Sequence, residues 1–350
     1  MSGLSRDKPV PRYQGAEWLK VKLPRQTAPW LDGKHRSLHK RRSSHAAATA
    51  ELNAMLERDR WKWPRHPIYF FADPHADTDA MLASLVASGG IRKTGPGDRD
   101  FELTGSGKRA RFIIGGDCFD KGPSSLRLLR ALRSLAERGA RLRILAGNHD
   151  VRVMLGMRNV GVKRKLENEH FFIRMGPKAV PLLKEIQTHY LQGRTALRHI
   201  PGKRKCRQRL YPSERWFNDF VLLAEEKLSS SAVQREMHRI EVKIARFEED
   251  CEAAGLTLRM VYAAALKWQQ LFLQSTGEFS WFFRKMQIAL RRGSFLFIHA
   301  GLDDQIANLI SEVGVRDLNR QFRRQLQGSS FDFYYGSIAN ALRTKYRAVD

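Results

Sequence analysis

Three short apolar runs, each followed directly by a polar loop, constrain the fold of this chain more than any other feature. The runs are PIYFFA (67–72), RFIIGG (111–116) and RLRILAG (141–147). The helical patterns DAMLASLVASGG and SSLRLLRALRSLAERG follow the first two runs, and both end in glycine. Strands that alternate with helices at this spacing predict an α/β domain, in which sites form in the loops at the carboxyl ends of the strands.

A fourth apolar run, SFLFI (294–298), also leads into a polar motif. The four strand-end motifs are Asp73-Pro74-His75, Gly116-Asp117-Cys118-Phe119-Asp120-Lys121-Gly122, Gly147-Asn148-His149-Asp150 and His299-Ala300-Gly301. Each alone is weak evidence, because Asp, Asn and Gly are common in turns. Together they indicate one site. Carboxylate and amide oxygens with imidazole nitrogens suit Mn²⁺, Fe and Zn²⁺, and two ions need a bridging carboxylate and ligands from several loops.

These motifs resemble those of the calcineurin-like metallophosphoesterases. The nearest branch contains the Ser/Thr phosphoprotein phosphatases and the symmetrical diadenosine tetraphosphatases, in which G-D-x-H-G, G-D-x-V-D-R-G, G-N-H-E and H-G-G or H-A-G occur in this order. The similar segments span residues 67–155 and 294–304. The resemblance implies a metallophosphoesterase-type β-sandwich flanked by helices. It also implies two divalent metal ions, with Mn²⁺ preferred over Fe or Zn²⁺, and hydrolysis of a phosphate ester by a metal-bridging hydroxide.

The resemblance further implies roles for eight side chains. They are Asp73 and His75 on the first metal, Asp117 bridging both metals, Asn148 and His299 on the second metal, His149 as general acid, Asp120 as the group that orients it, and Lys121 as phosphate ligand.

Three departures from the family pattern stand out. Lys121 replaces an arginine and so lacks the bidentate fork, and Asp150 replaces a glutamate. The family has one more metal-binding histidine after the last motif, whereas His299 is the last histidine here. Either the sequence stops early or another ligand substitutes, for which Asp303 and Asp304 are the candidate oxygens; of the two, we expect a truncated form.

Composition and hydrophobic pattern divide the chain into four regions. Residues 1–66 are expected to be a basic, largely disordered extension, with the run KHRSLHKRR (34–42) and one helix near 46–60. Residues 67–155 and 291–350 are expected to form the two halves of the phosphoesterase domain, the second incomplete. Residues 156–290 are predicted to be a helical insert or cap without strands. Within it, apolar stripes over 233–251 and 258–272 predict a helical hairpin, and 194–209 a basic loop.

The net charge of the chain indicates anionic partners. The sequence has 62 Lys and Arg side chains and 36 Asp and Glu side chains, which gives a net charge of +26. A phosphorylated small molecule, a nucleotide and a phosphoprotein all remain open as substrates. Alternatives are a nucleoside polyphosphate hydrolase, a nucleic-acid phosphodiesterase, or a polyanion-binding module on a degenerate scaffold. Three scattered cysteines, no membrane-length apolar run and no signal-peptide pattern predict a cytoplasmic protein.

Overall fold

A parallel four-stranded sheet lies at the centre of the computed structural model, which describes residues 13–25, 54, 62–161, 164–193 and 195–343. The strands are β1 Ile68–Phe71, β2 Ile91–Lys93, β3 Phe101–Leu103, β4 Arg111–Ile114, β5 Arg141–Leu145, β6 Met286–Gln287, β7 Ala289–Arg292 and β8 Phe295–Ile298. The central sheet has the order β1-β4-β5-β6, while β2-β3 and β7-β8 form separate antiparallel pairs. Because the central strands are parallel, their carboxyl ends meet at one edge.

Helices flank this sheet and make up most of the second half of the chain. They are α1 Thr78–Ala87, α2 Gly105–Arg109, α3 Ser125–Glu137, α4 Asn148–Arg158, α5 Phe171–Met175, α6 Val180–Tyr190, α7 Lys203–Leu210, α8 Glu214–Ala224, α9 Ser230–Ala253, α10 Leu258–Phe272, α11 Ser280–Lys285, α12 Asp304–Gln327 and α13 Ser330–Tyr335. Short 3-10 helices cover Ala16–Trp18, Leu166–Asn168, Gly176–Ala179 and Ser337–Leu342. The predicted α/β class, a parallel sheet flanked by helices, is confirmed.

The first two helices after the sheet strands begin at side-chain caps. Asp77 accepts a hydrogen bond from Ala80 N at the start of α1, and Ser124 accepts one from Arg127 N at the start of α3. Such caps satisfy backbone donors that the helix itself leaves unpaired. The apolar face of α3 is buried in the main core, as its pattern predicts.

The second layer of the sandwich is the β7-β8 hairpin. Ile113 and Leu145 on the sheet form a small buried cluster with Leu290 on the hairpin. At the rim, the rings of Phe70 and Phe297 stack with their centroids 5.8 Å apart. The hairpin therefore covers one face of the sheet, and β8 leads directly to His299.

Residues 156–290 are mainly helical and share one hydrophobic core with the sheet. The two apolar stripes are confirmed as α9 and α10, although α9 packs chiefly on α5, α8 and the Gly176–Ala179 turn, and α10 on α6 and α7. Two expectations were wrong. The region contains β6, which pairs with β5, and the predicted basic loop contains α7, whose Cys206 and Leu210 are buried.

The N-terminal extension is ordered over residues 13–25, contrary to the expectation of disorder there. Lys93 N donates to Gln14 O, and the Tyr13 hydroxyl donates to Pro24 O, so this segment is tied to β2 and to itself. The basic run 34–42 and the predicted helix 46–60 lie outside the described residues, apart from residue 54. Among the helices of the described part, none combines the length and apolarity needed to cross a membrane.

Candidate metal centre

The four strand-end motifs meet at the carboxyl edge of the sheet. The sheet contributes three of them, because β1, β4 and β5 are parallel neighbours. The hairpin contributes the fourth at the end of β8. The predicted site residues that come together here are Asp73, His75, Asp117, Asp120, Lys121, Asn148, His149 and His299.

Two glycines allow the loops to approach this closely. A Cβ atom on Gly147 would lie 2.1 Å from Asp117 N, and one on Gly116 would lie 2.8 Å from His299 Nδ1. Gly116 also has φ of 101°, a conformation that favours glycine. The glycines of the two motifs are therefore required by the packing of one loop on the next.

Backbone strain is concentrated in the same loops. Within the described ranges, every non-glycine residue with positive φ belongs to 73–76 or 117–121. They are Asp73 (34°), His75 (42°), Ala76 (59°), Asp117 (53°), Asp120 (68°) and Lys121 (68°). This conformation is uncommon for residues with a Cβ atom, and such strain clusters at functional sites.

The buried carboxylate of Asp117 lies at the centre of the arrangement. Its Oδ2 is 3.9 Å from Nε2 of both His75 and His149, and its Oδ1 is 3.6 Å from Nε2 of His299. Oδ1 also accepts a hydrogen bond of 2.8 Å from His149 N, which fixes the carboxylate. Three imidazole nitrogens thus face one carboxylate at distances too long for hydrogen bonds.

His75 and His299 are oriented through their other ring nitrogen. Nδ1 of His299 is 2.8 Å from Gly115 O, and Nδ1 of His75 is 3.3 Å from Phe119 O. A carbonyl oxygen only accepts, so each Nδ1 is the donor of its contact, and each Nε2 is the nitrogen left to bind a metal ion. This is the tautomer that a metal-binding histidine needs, with the backbone contact that usually supports it.

Asn148 and Asp73 complete the sides of the site near His299. Asn148 Oδ1 is 3.1 Å from His299 Nε2, and Asp73 Oδ1 is 3.6 Å from His299 Nδ1. Asp73 has a half-exposed side chain, so this side of the site is open to solvent.

His149 differs from the other two histidines in its Nδ1 partner. Its Nδ1 is 2.7 Å from Asp120 Oδ2, and both side chains are buried. A carboxylate in this position orients the ring and stabilises a positive charge on it. Beside it, Lys121 Nζ donates to Nε2 of His75 at 2.7 Å, so this nitrogen cannot serve a metal ion and the lysine at once.

Asp150 is a structural residue of the site whose role the sequence did not reveal. Its buried carboxylate accepts hydrogen bonds from the backbone N–H groups of Cys118, Phe119 and Gly147. Burial, and then the charge of Asp117, raise the pKa of this carboxyl group. An acid at the third helical position was the available signal, because such residues reach back to the helix start.

Two other groups near the motifs, the Asp303 carboxylate and the Cys118 thiol, have structural roles. Asp303 accepts from Ile306 N at the start of α12 and from Asn340 Nδ2, so both of its oxygens are engaged in holding the helix. This is a structural role, and it does not fit the expected substitute metal ligand. Burial raises the pKa of the Cys118 thiol well above its usual value, as fits an apolar filler.

Residues 66–236 match the family model described as calcineurin-like phosphoesterase. The match supports this superfamily. It includes three of the four motifs, whereas His299 lies beyond it. No curated protein and no solved structure matches the chain.

The segment that matches this family model carries a compact group of potential metal ligands. The ligand atoms of His75, Asp117 and His149 all lie within 4.8 Å of one another. Together with the family match, this cluster suggests metal-dependent hydrolysis of a phosphoester.

Proposed function

We propose that this protein hydrolyses phosphate monoesters at a dinuclear metal site. The proposed first metal is held by Asp73, His75 and Asp117, and the second by Asp117, Asn148 and His299. The native ions are proposed to be Mn²⁺, with Fe or Zn²⁺ as alternatives. The observation that carries the proposal is the convergence of three imidazole Nε2 atoms on the two oxygens of Asp117.

The spacing of these atoms fits bound cations. Two ligand atoms that share one ion at roughly 2.1 Å lie about 3 to 4 Å apart. The separations of 3.9 Å from Asp117 to His75 and 3.6 Å to His299 fall in this range, one on each carboxylate oxygen. The chemistry that two bound divalent ions supply is polarisation of the phosphoryl group and an acidified water.

We assign His149 to proton transfer and Asp120 to its orientation. The ring is held at Nδ1 by a carboxylate and its Nε2 faces the interior of the site, next to Asp117. An imidazolium in this position donates a proton to the oxygen that leaves from phosphorus, which lowers the barrier for a poor leaving group. The Nδ1 atoms of His75 and His299 are hydrogen-bonded to backbone carbonyl oxygens instead.

Lys121 is proposed to bind the substrate phosphate. Its ammonium already lies within the site, 2.7 Å from His75 Nε2, and its positive charge attracts an anion. A lysine binds phosphate as a point charge and imposes less orientation than an arginine fork.

The substrate class remains a choice between a phosphorylated small molecule, a nucleotide and a phosphoprotein. The stretch Lys121-Gly122-Pro123-Ser124-Ser125 resembles the diadenosine tetraphosphatases and favours a nucleoside polyphosphate within that choice. The net charge of +26 favours a second candidate function, a polyanion-binding module on the same scaffold. A polyanion-binding protein keeps its affinity for the polyanion in the presence of a chelator and loses that affinity steeply as the salt concentration rises. A hydrolase that depends on metal loses turnover when the metal is chelated.

The test is hydrolysis of para-nitrophenyl phosphate after chelation and Mn²⁺ add-back, with bound metal measured in parallel. We expect the wild type to require Mn²⁺ and to bind two ions per chain. The Asp117→Asn variant should lose turnover and bind less metal, because it loses the bridging charge. Asp219→Asn, which changes a surface aspartate paired with Arg215, should behave as wild type. A metal-loaded wild type without turnover would argue against the hydrolase and for the binding module.

A further inference from the structure

A cluster of arginines lies at the opposite end of the sheet from the metal centre. Arg111 and Arg141 are register partners at the amino ends of β4 and β5. Alternate residues of a strand share a face, so Arg111 projects to the same side as Ile113 and faces the hairpin. Arg143 lies on the same face of β5.

The hairpin contributes a fourth arginine from the facing layer. Arg292 ends β7 and lies two residues beyond Leu290, whose side chain packs against the sheet. Arg292 therefore enters the space between the layers, where the charges of Arg111 and Arg143 act on it. Three half-buried arginines from three strands, Arg111, Arg143 and Arg292, thus share one cleft, and the exposed Arg141 lies at its edge.

No acid compensates these charges within the described ranges. None of the four arginines takes part in an ion pair there. Burial, and then the neighbouring arginines, lower the pKa of Arg111 and of Arg292. Arg292 Nε is buried without a hydrogen-bond partner. Partly buried cations without a counter-charge are costly, and an anion in the cleft would relieve that cost.

An aromatic cavity of about 510 Å³ adjoins the cluster. Its walls include the rings of Phe70 and Phe297, stacked at 5.8 Å, and those of Trp63 and Phe295, 5.4 Å apart. Strand pairing places it beside the arginines, since Ile68 of its lining is the register partner of Arg111. Phe295 is likewise the register partner of Arg292.

We propose that this cleft binds a nucleoside phosphate, with the base against the aromatic rings and the phosphates at the arginines. The cavity volume is typical of small-molecule sites. Guanidinium groups match the geometry of phosphate oxygens, and aromatic faces stack on bases. Arg111, Arg143 and Arg292 lie partly buried between two layers, which suits a free nucleotide better than a nucleic-acid strand. This binding site lies at the amino ends of the strands and is separate from the metal centre.

The test is calorimetric titration of ATP into the full-length protein in the presence of EDTA, so that binding through metal ions is prevented. We expect saturable binding that Arg143→Gln weakens at least tenfold and Arg215→Gln, an exposed arginine on α8, leaves unchanged. Phe70→Ala should weaken ATP binding but not that of pyrophosphate, because it removes only the stacking surface. Arg143→Gln should also raise the melting temperature of the ligand-free protein by removing one repelling charge.

Three results would overturn the proposal. They are the absence of ATP binding, an equal loss in Arg143→Gln and Arg215→Gln, and binding of a single-stranded oligonucleotide much tighter than ATP with the same dependence on Arg143. The second would assign binding to overall charge, and the third to nucleic acid. If Arg143→Gln does not fold, Arg111→Gln serves in its place. None of these outcomes depends on hydrolysis, so failure here leaves the proposed function untouched.

Discussion

At the scale of single residues, the partner of Nδ1 separates His149 from His75 and His299. His149 lies 2.7 Å from the Asp120 carboxylate, whereas the other two face backbone carbonyl groups. We therefore expect His149→Gln to lower kcat about 10²- to 10⁴-fold for phenyl phosphate. The loss should be smaller for para-nitrophenyl phosphate, because nitrophenolate leaves without protonation.

Metal content decides between two roles for His149. Its Nε2 is 3.9 Å from Asp117 Oδ2, the same separation as that of His75, so the distance alone also allows a ligand. A proton donor can be removed without loss of bound Mn²⁺. A fall in metal content in His149→Gln, with equal loss for both substrates, would instead assign His149 to the metal.

The sequence predicted the members of this site because each motif directly follows a strand. It did not predict what holds the loops together. The sequence identifies Asp150 only as a replacement for glutamate, yet it accepts three backbone hydrogen bonds that join the loops after β4 and β5. Two of those donors, Cys118 N and Phe119 N, belong to residues distant in sequence, and only the folded chain brings them to this carboxylate.

At the scale of elements, the turn from β5 into α4 packs tightly against the loop after β4. A Cβ atom on Gly147 would lie 2.1 Å from Asp117 N and 2.2 Å from Asp117 Oδ1. Neither loop can move away without displacing the proposed bridging ligand. We expect Gly147→Ala to lower the free energy of unfolding by about 1 to 3 kcal/mol and to reduce metal binding.

Gly202→Ala is the matched control for this prediction. Gly202 precedes α7, and a Cβ atom there would have no neighbour within 4 Å. Urea denaturation and metal analysis should leave this variant close to wild type. Equal stability of the two variants would show that the close approach of the loops is not required.

Elements were predictable where a long apolar pattern specified them, as for β1, β4, β5, α1 and α3. The missed strands are short. Strands β2 and β3 have three residues each, β6 has two and β7 has four, so none contains enough alternation to be recognised. Strand β6 exists because β5 offers it a partner from far along the chain. Helix α7 was missed because basic residues surround its two buried side chains.

At the scale of the whole molecule, the excess of positive charge reaches the interior of the helical region. Lys243 of α9 donates a hydrogen bond to Arg174 O and lies near four cations, those of Arg174, Arg152, Lys178 and Arg239. These charges come from separate elements that pack around one side chain. Burial first, and then these neighbours, lower the pKa of Lys243 from 10.5 to about 7.

This shift predicts how stability depends on pH. Between pH 7 and about 10 the unfolded chain keeps the Lys243 proton and the folded chain does not, so the contribution of this group to stability rises with pH. Below pH 7 both states are charged and the full cost of the buried ammonium remains. Lys243→Met removes the charge, so we expect it to be more stable than wild type by about 1 to 3 kcal/mol at pH 7.

In urea unfolding, this difference in the free energy of unfolding should shrink towards pH 9, whereas Lys205→Met, at an exposed position of α7, should show no such trend. A difference that stays constant from pH 6 to pH 9 would mean that Lys243 keeps its proton in the folded protein. The cations of four packed elements would then be tolerated around a charged lysine, and the repulsion inferred for this region would be absent.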